Sequence, residues 1–513
     1  MENSTENNTQ KPDMMLFWGC FFAIVATAFG FIIRAMILDD LGAEFNLSNT
    51  QKGEIAGVGL WPFAISIVLF SLFIDKIGYK VAMIFAFLCQ IISVVMTIYA
   101  TDYWMLYAGT FVLALGNGAV EAFANPVVAT IFSKDKTKWL NILHAGWAGG
   151  LVLGGVFALF LGPETSWELK VGLILIPVLV YVVMLIKKQF PVQERVQAGV
   201  SYLEMLKEVG IGGALIIIGL IIFQLGAVFN WSTMVSVIAT IVIVGAFGFY
   251  VKSFGQPLFI FLLLIMIPLA TTELGTDSWI TDLMAPEMKN IGIQAGWILV
   301  YTSLIMVVLR FFAGSIIHKI SPLGLLAVCS LIASFGLYFL SISSGVIILV
   351  AATVYGLGKA FFWPTMLGLV AERFPKGGAL TLNITGGVGM IGVGVIGAVI
   401  LGFVQDIAVD KNLAEYDLQN KTELHTSYVT EEKESIFGSY MGLDAEKLGE
   451  ASESELMEIT AVQEEAKKEA LKTVAIFPII MFLCYLFLII YFKSKGGYKA
   501  VDLEEGSSIK QPA

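Results

Sequence analysis

Charge is scarce in this chain. Asp, Glu, Lys and Arg together supply 14% of its 513 residues, against roughly 25% in soluble domains. Hydrophobic residues supply 57% and mean hydropathy is +0.82, so a water-soluble globule is excluded and a multispanning membrane protein is implied. Cysteine is scarce as well. Its four copies, Cys20, Cys89, Cys329 and Cys484, fall in apolar runs at unrelated spacings, which argues against a disulfide framework and a thiolate metal site. No cleavable leader is expected. Residues 1–14 are polar, and the apolar run that begins near Met15 is long enough to cross about 30 Å of hydrocarbon and be kept as a first helix. Glycines such as Gly149, Gly150, Gly386 and Gly387 have no strand before them. A nucleotide-binding loop is therefore not indicated, and close helix packing is their expected use. The chain calls for no cofactor, no metal, no nucleic acid and no enzymatic reaction.

What is present is a succession of fourteen apolar runs, the first at 15–38 and the last at 471–492, bounded by charges, Gly and Pro. With the N-terminus placed in the cytoplasm, short inner loops and flanks collect Lys76, Lys80, Lys134, Lys136, Lys187, Arg195, Lys252 and Arg373, among others. Short outer loops hold only Lys52, Lys170 and Lys289. This asymmetry predicts a multi-pass protein of the cell membrane, taken as a bacterial inner membrane, with both termini cytoplasmic. The net charge of -10 is not spread evenly, because 17 acidic and 6 basic residues lie between Asp406 and Ala470. That segment is expected outside, as a solvated helical loop or cap.

Three motif pairs recur in the same order. Asp75-Lys-Ile-Gly answers His318-Lys-Ile-Ser, Gly116-x-Gly118 answers Gly356-x-Gly358, and Leu140-Asn-Ile answers Leu382-Asn-Ile, at offsets of 243, 240 and 242 residues. Such a repeat implies two parallel six-helix halves, the arrangement of major facilitator transporters, with two surplus helices between them. The expected fold is thus an all-α membrane protein of two six-helix bundles plus an inserted two-helix hairpin. Its expected parts are an N-terminal tail at 1–14, a first bundle at 15–188, a linker with the hairpin at 189–256, a second bundle at 257–492 that includes the acidic 406–470, and a tail at 493–513.

Glu121 stands inside an apolar span. A carboxylate at the centre of a membrane costs about 2.5–3.5 kcal/mol on insertion scales, so its default role is in a solute path. Asn125 lies four residues on and shares its face, and Pro126 removes a backbone donor beside both. Burial favours the neutral form of a carboxyl, which suits Glu121, and secondarily Glu273, to proton coupling. The competing reading is a static ion pair of Glu121 with Arg34, Arg310 or Lys359. Asn141, His144 and Trp147 continue one helix face, and Trp279, Lys359, Trp363 and Asn383 offer amides, a cation and aromatic faces in the second half. Such groups suit a sugar, whose hydroxyls take hydrogen bonds and whose ring stacks on aromatics.

Asp75-Lys76-Ile-Gly78-Tyr-Lys80 is similar to the inner-loop signature of the major facilitator superfamily. Glu121-x-x-x-Asn125-Pro126, Leu140-Asn141, Phe361-x-Trp363-Pro364-Thr and Gly402-Phe-Val-x-Asp406 resemble fucose permease-type sugar:proton symporters. The likeness covers most of both halves. Two positions depart from it: the first span carries no Asp and offers Arg34 instead, and Trp147 stands where that family has a second functional Asn. The resemblance implies secondary active import of a small polar solute, most simply a sugar, with protons as co-substrate, and a gating role for Asp75, Lys76, Gly78 and Lys80. Transport of a sugar acid or another organic anion through Lys359 and Arg34 is the alternative, as is a transporter-like membrane sensor.

Overall fold

The structure, a computed structural model, describes residues 12–162, 164–435 and 438–503. Among these, thirteen helices are long and apolar enough to cross a membrane, and the shorter Gly296–Phe311 is apolar too.

The first half consists of α1 (Met14–Met36), α2 (Trp61–Ile77), α3 (Tyr79–Ile98), α4 (Tyr103–Ile131), α5 (Lys136–Leu161) and α6 (Leu175–Leu185). Side chains that accept otherwise unpaired N–H groups start the helices. Asp13 caps α1 at Met15 and Leu16, and Asp102 caps α4 at Met105. The backbones of α1 and α5 come close, since a Cβ on Gly150 would lie 2.5 Å from the Val25 carbonyl oxygen. Glycine is what permits that approach.

The inserted hairpin is α7 (Tyr202–Val228) and α8 (Thr233–Val251). Its base is zipped by backbone bonds from Ile211 to Ser253 and from Gly212 to Phe254, each at 2.9 Å. There Gly210 takes φ 55, and a Cβ on it would sit 2.1 Å from the Gly255 nitrogen, so only glycine fits. α8 buries just Ser236, Thr240, Val244, Gly248 and Val251, a stripe at helical spacing. The rest of its surface, including Met234, Ile241 and Phe249, is exposed and apolar, as lipid contact requires.

The second half runs through α9 (Pro257–Ala270), α10 (Thr276–Asn290), α11 (Gly296–Phe311), α12 (Ala313–Ile342), α13 (Ile347–Lys359), α14 (Phe362–Arg373), α15 (Gly378–Gly392) and α16 (Ala398–Asn420). Three apolar runs that look continuous in sequence are interrupted. π turns at Thr271–Gly275 and Val393–Gly397 separate α9 from α10 and α15 from α16, and Ala360 and Phe361 separate α13 from α14. The two π turns lie against each other, with Gly397 leaving room for the Thr271 side chain. α12 contains a second kind of break, at Ser321 with φ 62 just before Pro322.

The acidic segment is more structured than a helical loop. α16 extends to Asn420, and a two-stranded antiparallel hairpin, β1 (Val429–Ser435) and β2 (Gly438–Leu443), precedes α17 (Glu453–Val474) and the last span, α18 (Ile476–Ser494). The strands add to the helical loop or cap expected for this segment, within a fold that is otherwise helical. They are anchored on α16, where Asp406 accepts from Tyr440 Oη at 3.1 Å and from Lys433 Nζ at 3.2 Å. Leu413, Leu424, Ile459 and Val462 form a small apolar core beneath them.

Candidate functional site

Two prolines define the chemistry at the centre. Pro126 has no N–H to give the Ala122 carbonyl four residues earlier, and that carbonyl instead accepts from Asn383 Nδ2 of the second half at 3.1 Å. Pro364 leaves the Ala360 carbonyl free in the same way, and Arg310 Nε donates to it at 2.6 Å. The Arg310 guanidinium also donates to Glu273 Oε1 at 2.7 Å and to the His144 carbonyl at 2.8 Å. Glu273 Oε2 accepts the Trp363 N–H at 3.0 Å, capping α14. Arg310 therefore joins the π turn of one helix, the break of another and α5 of the opposite half.

A small cavity lies beside this hub. The first half contributes Phe63, Glu121, His144 and Trp147; the second contributes Glu273, Leu274, Arg310, Trp363 and Met390. Two indoles and two carboxylates thus face one space. Asn125 connects the acidic and imidazole groups, since its Nδ2 donates to Glu121 while His144 Nε2 donates to its Oδ1 at 3.0 Å. Glu121 is 3% exposed, and among the described residues its one ion-pair neighbour is His144, at 3.8 Å.

The cations proposed as partners for Glu121 are committed elsewhere. Arg310 pairs with Glu273. Lys359 pairs with Asp277, also donates to Thr302 Oγ1 at 3.4 Å and lies over the Tyr355 ring at 5.0 Å. Arg34 reaches away into its own half, donating to Thr110 and Ser93 at 2.6 Å and to Thr97 at 2.8 Å. A static pair of Glu121 with any of them is therefore corrected: the helix rotations point these side chains at other acceptors. Asp277, four residues after Glu273 and so on the same helix face, is buried as well.

Other expected solute ligands do not line the cavity. Asn141 Nδ2 donates to the Thr137 carbonyl at 2.9 Å and to Thr365 Oγ1 across the halves at 3.1 Å. Like Asn383, it holds helices together. The side chain of Trp279 lies outside the described residues. The inner-loop signature works through the linker: Asp75 pairs with Arg195, Lys76 lies over the Tyr202 ring at 4.9 Å, Gly78 turns the chain at φ 83, and Lys80 is exposed.

Hydrogen bonds between the halves run from the centre toward the face where α1 begins. There Glu372, which sequence reasoning passed over, accepts from both the backbone and the hydroxyl of Thr137, and Lys136 Nζ donates to the Ala371 carbonyl at 3.4 Å. The C-terminal tail adds a strap. Tyr498 Oη donates to Glu372 Oε2 at 2.6 Å, the Val501 N–H to the Glu372 carbonyl at 2.8 Å, and Arg373 to the Lys499 carbonyl at 2.6 Å. This face is closed.

A sequence profile described as Major Facilitator Superfamily matches residues 19–272. The fucose:proton symporter FucP of E. coli superposes with a TM-score of 0.53 at 16% identity, over 90% of this chain and 98% of that one. Residues 19–272 therefore carry the major facilitator sequence pattern, and the described chain as a whole has the fold of these transporters. The human organic anion transporter MFSD10 matches with a TM-score of 0.60 at 10% identity, over 93% of this chain and all of that one (100%). At these identities the likeness is one of fold. Among curated relatives, a TsgA homolog of Buchnera aphidicola is 28% identical over 182 residues, 35% of this chain and 47% of that protein. The gentisate transporter of Corynebacterium glutamicum is 24% identical over 164 residues, 31% of this chain and 37% of that one. The chain thus spans about half or less of the length of these curated relatives. It is a multi-pass membrane protein with the major facilitator fold.

Proposed function

We propose that the protein imports a small hydroxyl-rich solute, such as a sugar, by alternating access coupled to a proton carried on Glu121. The observation that supports this is the isolation of Glu121: among the described residues no Lys or Arg pairs with it, and Arg310, which shares its cavity, and Lys359 are already matched by Glu273 and Asp277. An ionised, unpaired carboxylate in such a place is costly, so burial favours the protonated form. Opening the site to water reverses that preference and releases the proton. Asn125 and His144 hold the carboxyl, and Trp147 and Trp363 offer faces on which a sugar ring stacks. The closed face at the start of α1 is taken as cytoplasmic, on the distribution of Lys and Arg, with both termini on that side.

Reconstituted vesicles test the reading. Glu121→Gln, which mimics the protonated form, is expected to abolish uptake driven by a pH gradient while solute exchange persists. Normal gradient-driven accumulation by Glu121→Gln would defeat it.

A second reading is transport of an organic anion, favoured by relatives named as gentisate and cis,cis-muconate transporters. It requires Arg310 to exchange Glu273 for a substrate carboxylate. Uptake of labelled aromatic acids in the same vesicles, absent for sugars, would select it.

A further inference from the structure

A second cavity adjoins the one that holds Glu121. The two share Trp147, Leu274 and Met390 in their linings. Their chemistry differs. The inner cavity presents Glu121, His144, Glu273 and Arg310, whereas the outer one is lined by Phe31, Leu60, Leu151, Leu299 and Val393, with Asp277 as its single ionisable group. Asp277 is matched by Lys359, so it brings no free charge to this space.

The apolar side chains come from α1, the start of α2, α5, α11 and the second π turn, and therefore from both halves. An aqueous passage for a fully hydroxylated solute gains nothing from such a wall, because apolar surface is unfavourable against water. A guest with apolar surface recovers that cost, at roughly fourfold in affinity for each methylene buried. The adjacency of a polar and an apolar compartment across Trp147 fits one molecule with two ends better than two separate ligands.

We infer that the solute is amphipathic: a hydroxyl-rich head sits in the Glu121 cavity while an attached apolar group, such as an aryl or short alkyl substituent, occupies the outer cavity lined by Phe31, Leu60, Leu151, Leu299 and Val393. This rests on the proposed binding of a hydroxylated solute at the inner cavity, and it narrows the solute class from free sugars to glycoside-like compounds. Leu60 and Leu299 become specificity-determining residues, touching the apolar group and not the head.

The test is binding to the purified protein in nanodiscs, read by quenching of Trp147 and Trp363 fluorescence. The probes are D-glucose, D-galactose, D-mannose and L-fucose, each with its methyl and phenyl glycosides. For at least one sugar the phenyl glycoside is expected to bind at least about tenfold tighter than the methyl glycoside, as expected from burying several apolar carbons. Leu299→Gln is expected to erase that difference. Leu60→Gln, at a half-exposed position and so less exposed to folding failure, is expected to narrow it, with the affinity for the methyl glycoside serving as the internal measure in each protein. Equal binding of methyl and phenyl glycosides, or exclusion of the phenyl compounds, overturns the inference and leaves the sugar reading standing. Binding of no sugar and no glycoside overturns both.

Discussion

Asn383 in the second half donates its side-chain amide to the carbonyl of Ala122 in the first, at 3.1 Å. The bond exists because Pro126 cannot supply the helical N–H that this carbonyl would otherwise accept. One helix defect is thereby converted into a contact between the two halves of the chain. Removing the amide with Asn383→Ala strands a buried carbonyl, a loss of about 1–3 kcal/mol. Thermal unfolding in detergent should show it as a lowered midpoint. The decisive arm is a cycle with Pro126→Ala, which restores the N–H: in that background Asn383→Ala should cost measurably less. Strict additivity would separate the two residues and refute the link.

Gly389 sets the position of one cavity wall. A Cβ there would lie 2.7 and 2.8 Å from the Trp363 ring and 2.6 Å from Met266 Cε. Methionine can yield, but a packed indole moves as a unit. Gly389→Ala should therefore push Trp363 toward the cavity and raise the KM for solute by about tenfold, with stability lowered by about 1–3 kcal/mol. Gly149→Ala, with open space around the added carbon, is the matched control and should transport normally. Equal KM values for the two variants would show that Trp363 does not need its glycine.

Much of the architecture was legible because hydrophobic thickness and repeat spacing are one-dimensional signals. The offset between Asn141 and Asn383 revealed the two halves, and Glu121 stood out because a charge in hydrocarbon demands an explanation. Partnerships were not legible. Whether Arg310 meets Glu121 or Glu273 depends on helix rotation and on breaks such as the π turn at Thr271–Gly275, which shifts the phase of every later side chain in that span. β1 and β2 escaped notice because acidic residues such as Glu431 and Glu432 disguise strands whose anchoring contacts lie on a distant helix, at Asp406.

Tyr498 reinforces the closed face. Its hydroxyl bonds the same Glu372 carboxylate that accepts from Thr137 in the opposite half. Tyr498→Phe removes one hydrogen bond to an ionised group, worth about 1.5–3 kcal/mol in such cases. It should raise the population open toward this face by about tenfold or more. The rate of maleimide labelling at Ala129→Cys, which lines the space just inside the gate, would rise accordingly. An unchanged rate would mean that the tail rests on the gate without holding it.

The cap should loosen at acid pH, through Glu287. Lys468 on α17 donates to this α10 carboxylate and is the largest cause holding it below the ordinary glutamate range; the Gly345 N–H, at 3.3 Å, adds to it. A carboxyl whose value is lowered on folding contributes stability above its unfolded value of about 4.3, and that contribution disappears as pH falls through the lowered folded value. With Lys468 at 32% exposure the pair contributes no more than about 1 kcal/mol, so partial release is expected and not unfolding. Spin labels at Met457 on α17 and Lys289 on α10 should give a narrow distance distribution at neutral pH that broadens in acid below that value. Glu287→Gln keeps an acceptor for Gly345 but loses the charge. It should therefore show the broad distribution at both pH values, and a narrow one at neutral pH would mean that packing of α17 against α12 holds the cap without the ion pair.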